Sequence, residues 1–409
     1  MRVVQINGGV FGSTGMIMFG ITEALKKNGN KCSCLAPVTN TNRDKEPDCG
    51  YEKIGTFNSR RLNVLFDRIT GLAGCFSYFT TRKVVKKIKR FSPDIIQLHN
   101  IHGGFINIPM LFTYIKKSHV AVVWTLHDCW AFTGHCPHYD MIGCDKWRRG
   151  CYSCPQRREY PQSLLDSSRL MYFLKKKWFS GIPGMTLVTP SVWLASQVKQ
   201  SFLKDYPVKI IHNGIDLEIF KPTLSDFRKK HEISDEKYIV LGVAFDWGTR
   251  KGLDVFIELS KRLDKEKYQI VLVGTNDTVD RQLPDEIISV HRTQNQKELA
   301  EIYTVADIFV NPTREETYPT VNMEAIACGT PVLTFNTGGS PEILDATCGD
   351  IVARDDINAV EKEIVRICEM HPYSEEACVH RAKKFDKNKK YMEYVELYES
   401  IVAGRSKAH

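Results

Sequence analysis

The 409-residue chain contains no apolar run that approaches the roughly 20 residues a membrane-spanning helix requires, which excludes an integral membrane protein of helical type. Its first residues, M-R-V-V-Q-I-N-G-G, read as a strand running into a glycine-rich loop rather than as a secretory leader, so none is expected. No internal repeat and no low-complexity segment is present, so a repeat architecture is excluded. No D-x-D sequence stands at the end of a strand, which removes a familiar seat for a divalent ion. Cysteine, in contrast, is plentiful. Thirteen of them, an odd number, in a chain without a leader point to reduced thiols or metal ligands and to the cytoplasm.

With 409 residues, of which 43% are hydrophobic, the chain is too long for one ordinary core and suggests two domains. Apolar strand patterns alternate with helical ones: R-V-V-Q-I-N, a helix over 14–27 and K-C-S-C-L-A; later D-I-I-Q-L-H, a helix over 106–117 and V-A-V-V-W-T-L-H. Strands without polar alternation, spaced by helices, indicate parallel sheets covered on both faces. The fold class is therefore α/β, with two doubly wound domains. The first is expected over 1–213, ending at V-K-I-I-H-N-G, and the second over 214–385. The polar stretch Lys221–Lys237 reads as a connector, and residues 386–409 read as a terminal helix.

The most informative segment is V-N-P-T-R-E-E-T-Y-P-T-V-N-M-E, from Val310 to Glu324. It sets Glu316 and Glu324 eight residues apart around a strand-to-helix turn, with the helix expected over 320–328. A helix N-terminus presents unpaired N–H groups and partial positive charge, so Thr320 and Val321 suit a phosphate. An ionised Glu324 accepts hydrogen bonds only and suits the vicinal hydroxyls of a ribose. Glu316 then faces whatever lies beyond the phosphates. Two carboxylates at this spacing alone are weak evidence, since many helices carry them as a solvated acidic face.

Other motifs accompany this one in order: H-N-G-I-D (His212–Asp216), R-K-G-L (Arg250–Leu253), L-V-G (Leu272–Gly274), A-D-I-F-V-N-P-T (Ala306–Thr313) and T-G-G-S-P-E (Thr337–Glu342). Together with the two glutamates they resemble the E-x7-E signature of retaining glycosyltransferases of family 4, densely in the C-terminal half and more thinly in the N-terminal half. The resemblance implies the GT-B fold, two Rossmann-like domains facing a cleft with the last helix crossing back to the first. It implies transfer of a sugar from a nucleotide diphosphate, UDP by family habit, to a glycan or lipid-linked acceptor in surface polysaccharide synthesis, with retention and no catalytic cofactor.

On this resemblance Glu316, His127 and Asp128 face the reacting sugar. Arg250, Lys251, Thr320, Val321, Glu324 and Gly12 hold the donor, and His99 and Gly9 shape the acceptor side. Gly8, Gly9, Gly12 and Gly15 follow the first strand, where glycine allows close backbone approach to a ligand. Two departures stand out: Asp246 occupies a position where the family usually has arginine, and Pro319, without an N–H, one where it often has glycine. Without a D-x-D seat, the leaving diphosphate is expected to be neutralised by Lys251, Arg250 and the helix N-terminus.

An insert over 128–160 departs from the family pattern. Cys136, Cys144, Cys151 and Cys154 lie within 19 residues, the last two as C-x2-C, among glycines and prolines that permit tight turns. Such spacing suits a tetrahedral structural zinc, with Cys129, His135 and His138 as substitute ligands; small buried residues or chance disulfides are the alternatives. The net charge of +8 is concentrated in part between Arg60 and Arg90, where Phe76, Phe79, Val84 and Ile88 interleave with lysines. That pattern reads either as a cationic helix on the inner face of an anionic membrane or as a core-facing helix with a solvated basic face. A hydrolase or epimerase on the same scaffold, and a zinc-knuckle nucleic-acid binder, are the remaining alternatives. The second leaves the ordered motifs unexplained, so no nucleic-acid partner is expected.

Overall fold

The computed structural model describes residues 1–43 and 50–406; Cys49 and the last three residues of the terminal segment lie outside the described residues. The chain forms two compact units, Met1–His212 together with the segment from Asn388, and Asn213–Lys387.

In chain order the first unit has β1 (Arg2–Ile6), α1 (Ser13–Lys27), β2 (Lys31–Pro37), β3 (Glu52–Ile54), α2 (Phe57–Thr70), α3 (Tyr78–Phe91) and β4 (Ile95–Leu98). It continues with α4 (Ile108–Ser118), β5 (Ala121–Thr125), α5 (Ser168–Phe179), β6 (Met185–Thr189), α6 (Val192–Lys199) and β7 (Val208–Ile210). The second unit has α7 (Phe227–Lys230), β8 (Tyr238–Val243), α8 (Leu253–Arg262), β9 (Tyr268–Val273), α9 (Asp277–Asp280), β10 (Ile288–Val290) and α10 (Gln296–Val305). There follow β11 (Ile308–Asn311), α11 (Thr320–Ala327), β12 (Val332–Phe335), β13 (Gly349–Val352), α12 (Ile357–Met370) and α13 (Glu375–Ala382). The last helix, α14 (Lys387–Ser406), packs on the first unit.

Among the described residues the first sheet runs β3-β2-β1-β4-β5-β6-β7 and the second β10-β9-β8-β11-β12-β13, with parallel pairing throughout. Helices cover both faces, so the central strands β4, β5, β11 and β12 are buried along their whole length. Ile95, Ile96 and Leu98 of β4 and Val332, Leu333 and Phe335 of β12 are fully buried, each contributing about 1.5–3 kcal/mol. Strand order reverses between β1 and β4 in one sheet and between β8 and β11 in the other. At such a switch point the loops leaving the two strands diverge and open a crevice at their carboxyl ends.

α14 is keyed to the first unit by small and polar contacts. A Cβ on Gly20 would lie 1.9 Å from the Tyr391 ring, so α1 admits the helix only through glycine. Tyr398 donates to Gln97 Oε1 at 2.7 Å, and Thr125 donates to the Tyr394 hydroxyl at 3.2 Å. Where the chain enters and leaves the second unit, Ile215 N–H donates to Phe385 O at 2.8 Å and Lys387 N–H to Ile215 O at 2.9 Å. A Cβ on Gly214 would sit 2.5 Å from Lys387 Cα, which explains the glycine of H-N-G-I-D.

Two expectations change. The stretch Lys221–Lys237 is no free connector: Phe227 and Ile233 are buried in the second unit's core, and Arg228 pairs with Asp307 at 3.1 Å. The basic helix α3 takes the core-facing reading. Val84 and Ile88 are buried and Phe76 is half-buried, leaving only Phe79 of those four exposed. Apolar surface lies on α2 instead, where Leu62, Leu65, Phe66 and Ile69 are exposed beside Arg61 and Arg68. Among the described residues no helix is long and apolar enough to cross a membrane.

Candidate active site

In the second unit, the motifs that are scattered in sequence pack on one another at the β8/β11 switch point. A Cβ on Gly274 of L-V-G would lie 1.9 Å from Ala244 O, and one on Gly252 of R-K-G-L would lie 2.5 Å from Pro312 O. One on Gly338 of T-G-G-S-P-E would lie 1.6 Å from Glu316 O, and Gly338 has a φ of +56°. Each of these glycines permits a backbone-to-backbone approach that a side chain would block. Arg314 locks the same loops together: its N–H donates to Arg250 O at 2.9 Å, and its guanidinium forks onto Asp254 at 2.7 and 2.8 Å and reaches Asp355 at 2.6 Å.

Within this frame Lys251 Nζ meets Glu316 Oε2 at 2.5 Å, and Thr317 N–H donates to Glu316 Oε1 at 3.1 Å. Both side chains of the pair are 18% exposed, open enough for a ligand to reach. α11 begins three residues after Thr317, capped by Pro319 with no side-chain hydrogen bond to its first turn. The N–H groups of Thr320 and Val321 are thus left without a side-chain cap. One turn on, Glu324 is half-buried and accepts from the Tyr303 hydroxyl at 3.2 Å. Burial pushes its pKa up to about 7, against the pull of the hydrogen bonds from Tyr303 and Thr320. Lys251 and Glu316 are thus in contact, with Arg250 next to Lys251 after β8 and Thr320, Val321 and Glu324 on the helix that follows β11, the strand paired with β8.

The first unit has a second polar cluster at its own switch point. Gly12 caps α1 at φ +81°, with nothing within 4 Å of where its Cβ would be, and Gly9 is nearly as open. Gly15 is different: a Cβ there would strike Val10 O at 2.4 Å, so its role is in the turn. His99, just beyond β4, hydrogen-bonds through Nε2 to Gln5 Oε1 at 2.9 Å and through Nδ1 to His127 Nε2 at 3.1 Å. Gln5 Nε2 donates to Met18 O and Thr22 Oγ1, so its Oε1 is the acceptor and His99 carries its proton on Nε2. His127 Nε2 must then donate to His99 Nδ1. Burial holds His127 down at about 4 and His99 well below the usual histidine range, so both rings are neutral near pH 7.

Asp128, though adjacent to His127, pairs elsewhere. Its Oδ2 meets His102 Nε2 at 3.0 Å, and its Oδ1 accepts from Trp130 N–H at 2.8 Å. Burial raises its pKa, but the charge and hydrogen bond of His102 and the Trp130 N–H outweigh it and hold Asp128 down at about 2. His102 Nδ1 in turn meets the Tyr160 hydroxyl at 2.9 Å. His102 and Tyr160 border a cavity of about 320 Å³ that Arg60, Arg68 and Arg158 also line. Sequence reading overlooked His102, although H-N-I-H-G-G presents it three residues after His99 at a strand end. It also overlooked Arg314 and Phe245, an aromatic ring 89% exposed just beyond β8. The four insert cysteines surround a separate small cavity in the first unit.

Comparison with known proteins accounts for this architecture. The signature of Glycosyltransferase Family 4 matches residues 15–219, and that of Glycosyl transferases group 1 matches residues 236–370. The chain belongs to glycosyltransferase family 4, and its two parallel sheets with flanking helices are the GT-B fold of such enzymes. Escherichia coli K12 WcaC, a glycosyl transferase assigned to colanic acid biosynthesis, is 24% identical over 274 residues, 65% of each chain. The present chain thus spans 65% of that relative's length. An uncharacterized 41.2 kDa protein in the cps region of Klebsiella pneumoniae is 27% identical over 410 residues, covering 98% of this chain and 100% of its own. Anabaena HepE, solved in complex with UDP and glucose, superimposes with a TM-score of 0.68 at 14% identity, covering 98% of this chain and 100% of its own.

Proposed function

We propose that this glycosyltransferase moves a sugar, with retention at the anomeric carbon, from a UDP-sugar to a glycan or lipid-linked acceptor during surface polysaccharide synthesis. The observation that carries the reading is the meeting of Lys251 and Glu316 beside the uncapped start of α11, with Glu324 one turn further on. Cation, amide groups and carboxylates are laid out in the order in which a nucleotide diphosphate sugar presents anions and hydroxyls. Glu324 takes the ribose hydroxyls, the Thr320 and Val321 N–H groups and Lys251 take the diphosphate, and Glu316 takes the sugar. Arg250 adds positive charge beside Lys251. The UDP and glucose of the HepE complex and the polysaccharide context of the WcaC relative support the choice of donor and pathway class.

In this reading, charge that develops on the leaving diphosphate is stabilised by donors already in place, which is where such sites gain most of their rate. The acceptor hydroxyl attacks on the face that the nucleotide leaves, and its proton passes to a phosphate oxygen. Glu316 orients the donor sugar and forms no covalent bond to it. In the first unit, His127, neutral and held by His99, offers a hydrogen-bonding ring rather than a charge, and Asp128 acts with His102 on the acceptor.

The test is incubation of the purified protein with UDP-, GDP- and ADP-sugars and a set of glycan and polyprenyl-phosphate acceptors. The reading requires acceptor-dependent release of UDP and a product whose anomeric configuration matches the donor. Release that needs no acceptor would mark a hydrolase, and an inverted product would overturn retention.

A further inference from the structure

Between β5 and α5 the chain has no strand and no helix beyond two 3-10 turns, Trp130–Phe132 and Lys146–Arg148. A connection of this length without regular structure is uncommon in a compact domain and needs another source of order. Yet Trp130, Phe132, Tyr139 and Trp147 within it are buried. Part of the order is aromatic: the Trp147 ring lies 4.9 Å from Tyr139 and 5.2 Å from Phe132, centroid to centroid. Beside this cluster is a cavity of about 10 Å³, room for roughly one water-sized sphere. Cys136, Cys144, Cys151, Cys154 and His135 all border it, and none of the four thiols is in a disulfide.

The backbone around the cavity is arranged to present sulfur. Gly143, Gly150 and Ser153 have φ of +61°, +142° and +44°, so each of the three cysteines that follow them leaves a turn that most residues avoid. Gly134 N–H donates to Cys151 Sγ at 3.0 Å, and a Cβ on Gly134 would lie 2.6 Å from Cys151 Cβ. Lys146 Nζ holds the C-x2-C turn by donating to Tyr152 O at 3.2 Å and Ser153 O at 3.1 Å. His135 Nε2, in the cavity wall, is buried with no hydrogen-bond partner among the described residues.

Lys175 of α5 is wholly buried, and its Nζ donates to Trp130 O at 2.8 Å and Thr133 O at 3.1 Å, which ties the start of the insert to that helix.

We propose that Cys136, Cys144, Cys151 and Cys154 hold a structural zinc ion in the small cavity between them. Soft thiolates in a set of four fit tetrahedral zinc and leave no open coordination position, so the ion orders the insert and does not take part in chemistry. Each thiol loses a proton to solvent as its sulfur bonds the metal. Among the described residues, no three of the insert's cysteine and histidine ligand atoms form a group within 4.8 Å of one another, as Asp277, Asp280 and His291 do in the second unit. Ligation therefore draws the C-x2-C turn inward around the cavity.

The experiment uses the full chain, purified in reducing buffer without chelator, with metal measured by plasma mass spectrometry. About one zinc per chain is expected, falling below about a tenth of that in Cys151→Ser and Cys154→Ser and unchanged in Cys75→Ser. Because loss of a ligand can unfold the insert, the wild type provides a second readout. Cobalt added to metal-free protein must give a thiolate-to-cobalt charge-transfer band and tetrahedral ligand-field bands, and a mercurial that modifies the thiols must release the native metal. Absence of co-purified metal together with no charge-transfer band would overturn the proposal, as would a Cys136–Cys154 disulfide in protein kept under reducing conditions.

Discussion

Lys251 and Glu316 lie 65 residues apart in the chain and meet at 2.5 Å, a lysine from the loop after β8 and a glutamate from the loop after β11. The pair is fixed by neighbours on both sides: Gly252 against Pro312, Gly338 against Glu316, and Arg314 onto Arg250 O and Asp254. Replacing Glu316 by Gln keeps the shape and removes the charge that, on the proposed function, orients the sugar. Turnover is expected to fall by roughly 10²–10³, the size of loss seen when one preorganised electrostatic group is removed, while KM for the donor changes little. Lys251→Met, which removes a diphosphate partner in both ground and transition states, is expected to raise KM as well as lower kcat. Steady-state kinetics with the best donor of the panel checks both, and a Glu316→Gln enzyme that loses only affinity contradicts the assignment.

On the proposed function, Glu324 would link nucleotide binding to pH. Its pKa of about 7 in the folded chain lies above the ordinary 4.5, because burial penalises the carboxylate. The stability contribution of the neutral form is fully present below pH 4.5 and is lost as pH rises through about 7. Ribose hydroxyls need the ionised form as acceptor, so nucleotide affinity should rise severalfold between pH 6 and 8. Titration calorimetry with UDP over that range, repeated on Glu324→Gln, checks this; the variant should bind weakly and show no such rise.

The neutral histidines give the opposite dependence. His127, at about 4, and His99, also lowered, are depressed below 6.5 chiefly by burial, so the stability His127 contributes is present above pH 6.5 and lost as pH falls through about 4. Thermal unfolding midpoints should decline from pH 6.5 to 4.5 in wild type and decline less in His127→Gln, which keeps a hydrogen-bonding side chain but cannot take up a proton. An equal decline in both would remove His127 from this role.

Gly338 tests the loop packing without touching a charged group. At φ +56°, with its Cβ position 1.6 Å from Glu316 O, the change to Ala must move the Glu316 loop. A loss of about 1–3 kcal/mol is expected from backbone strain, with turnover falling further than stability alone explains. Gly248→Ala, at an extended φ of −179° with nothing within 4 Å, is the control and should be close to neutral.

How much of this was readable from residues alone depended on sequence distance. The β11–α11 turn was legible because strand, turn, Pro319 and helix start are contiguous, and the structure moves the helix end only from Cys328 to Ala327. The pairing of Asp128 with His102 was not, since the two belong to loops after different strands and come together only through the parallel register of β4 and β5. Periodicity found the amphipathic helix α3, but a pattern of apolar residues is the same whether the face meets a core or a membrane. Only the buried positions of Val84 and Ile88 separate the two. The tautomers of His99 and His127 depend on Gln5, which a strand pattern reads merely as a polar residue in β1.

The most direct test of the account is a thermal-shift panel of UDP, GDP, ADP and their sugar conjugates on wild type and Glu324→Ala side by side. A ligand that binds only the folded state at about 100 times its Kd adds about 2.7 kcal/mol of stability. The account predicts that UDP and UDP-sugars raise the melting temperature of wild type by several degrees and leave the variant nearly unmoved. No response to any nucleotide, or an equal response in both proteins, would contradict the placement of the donor at the start of α11.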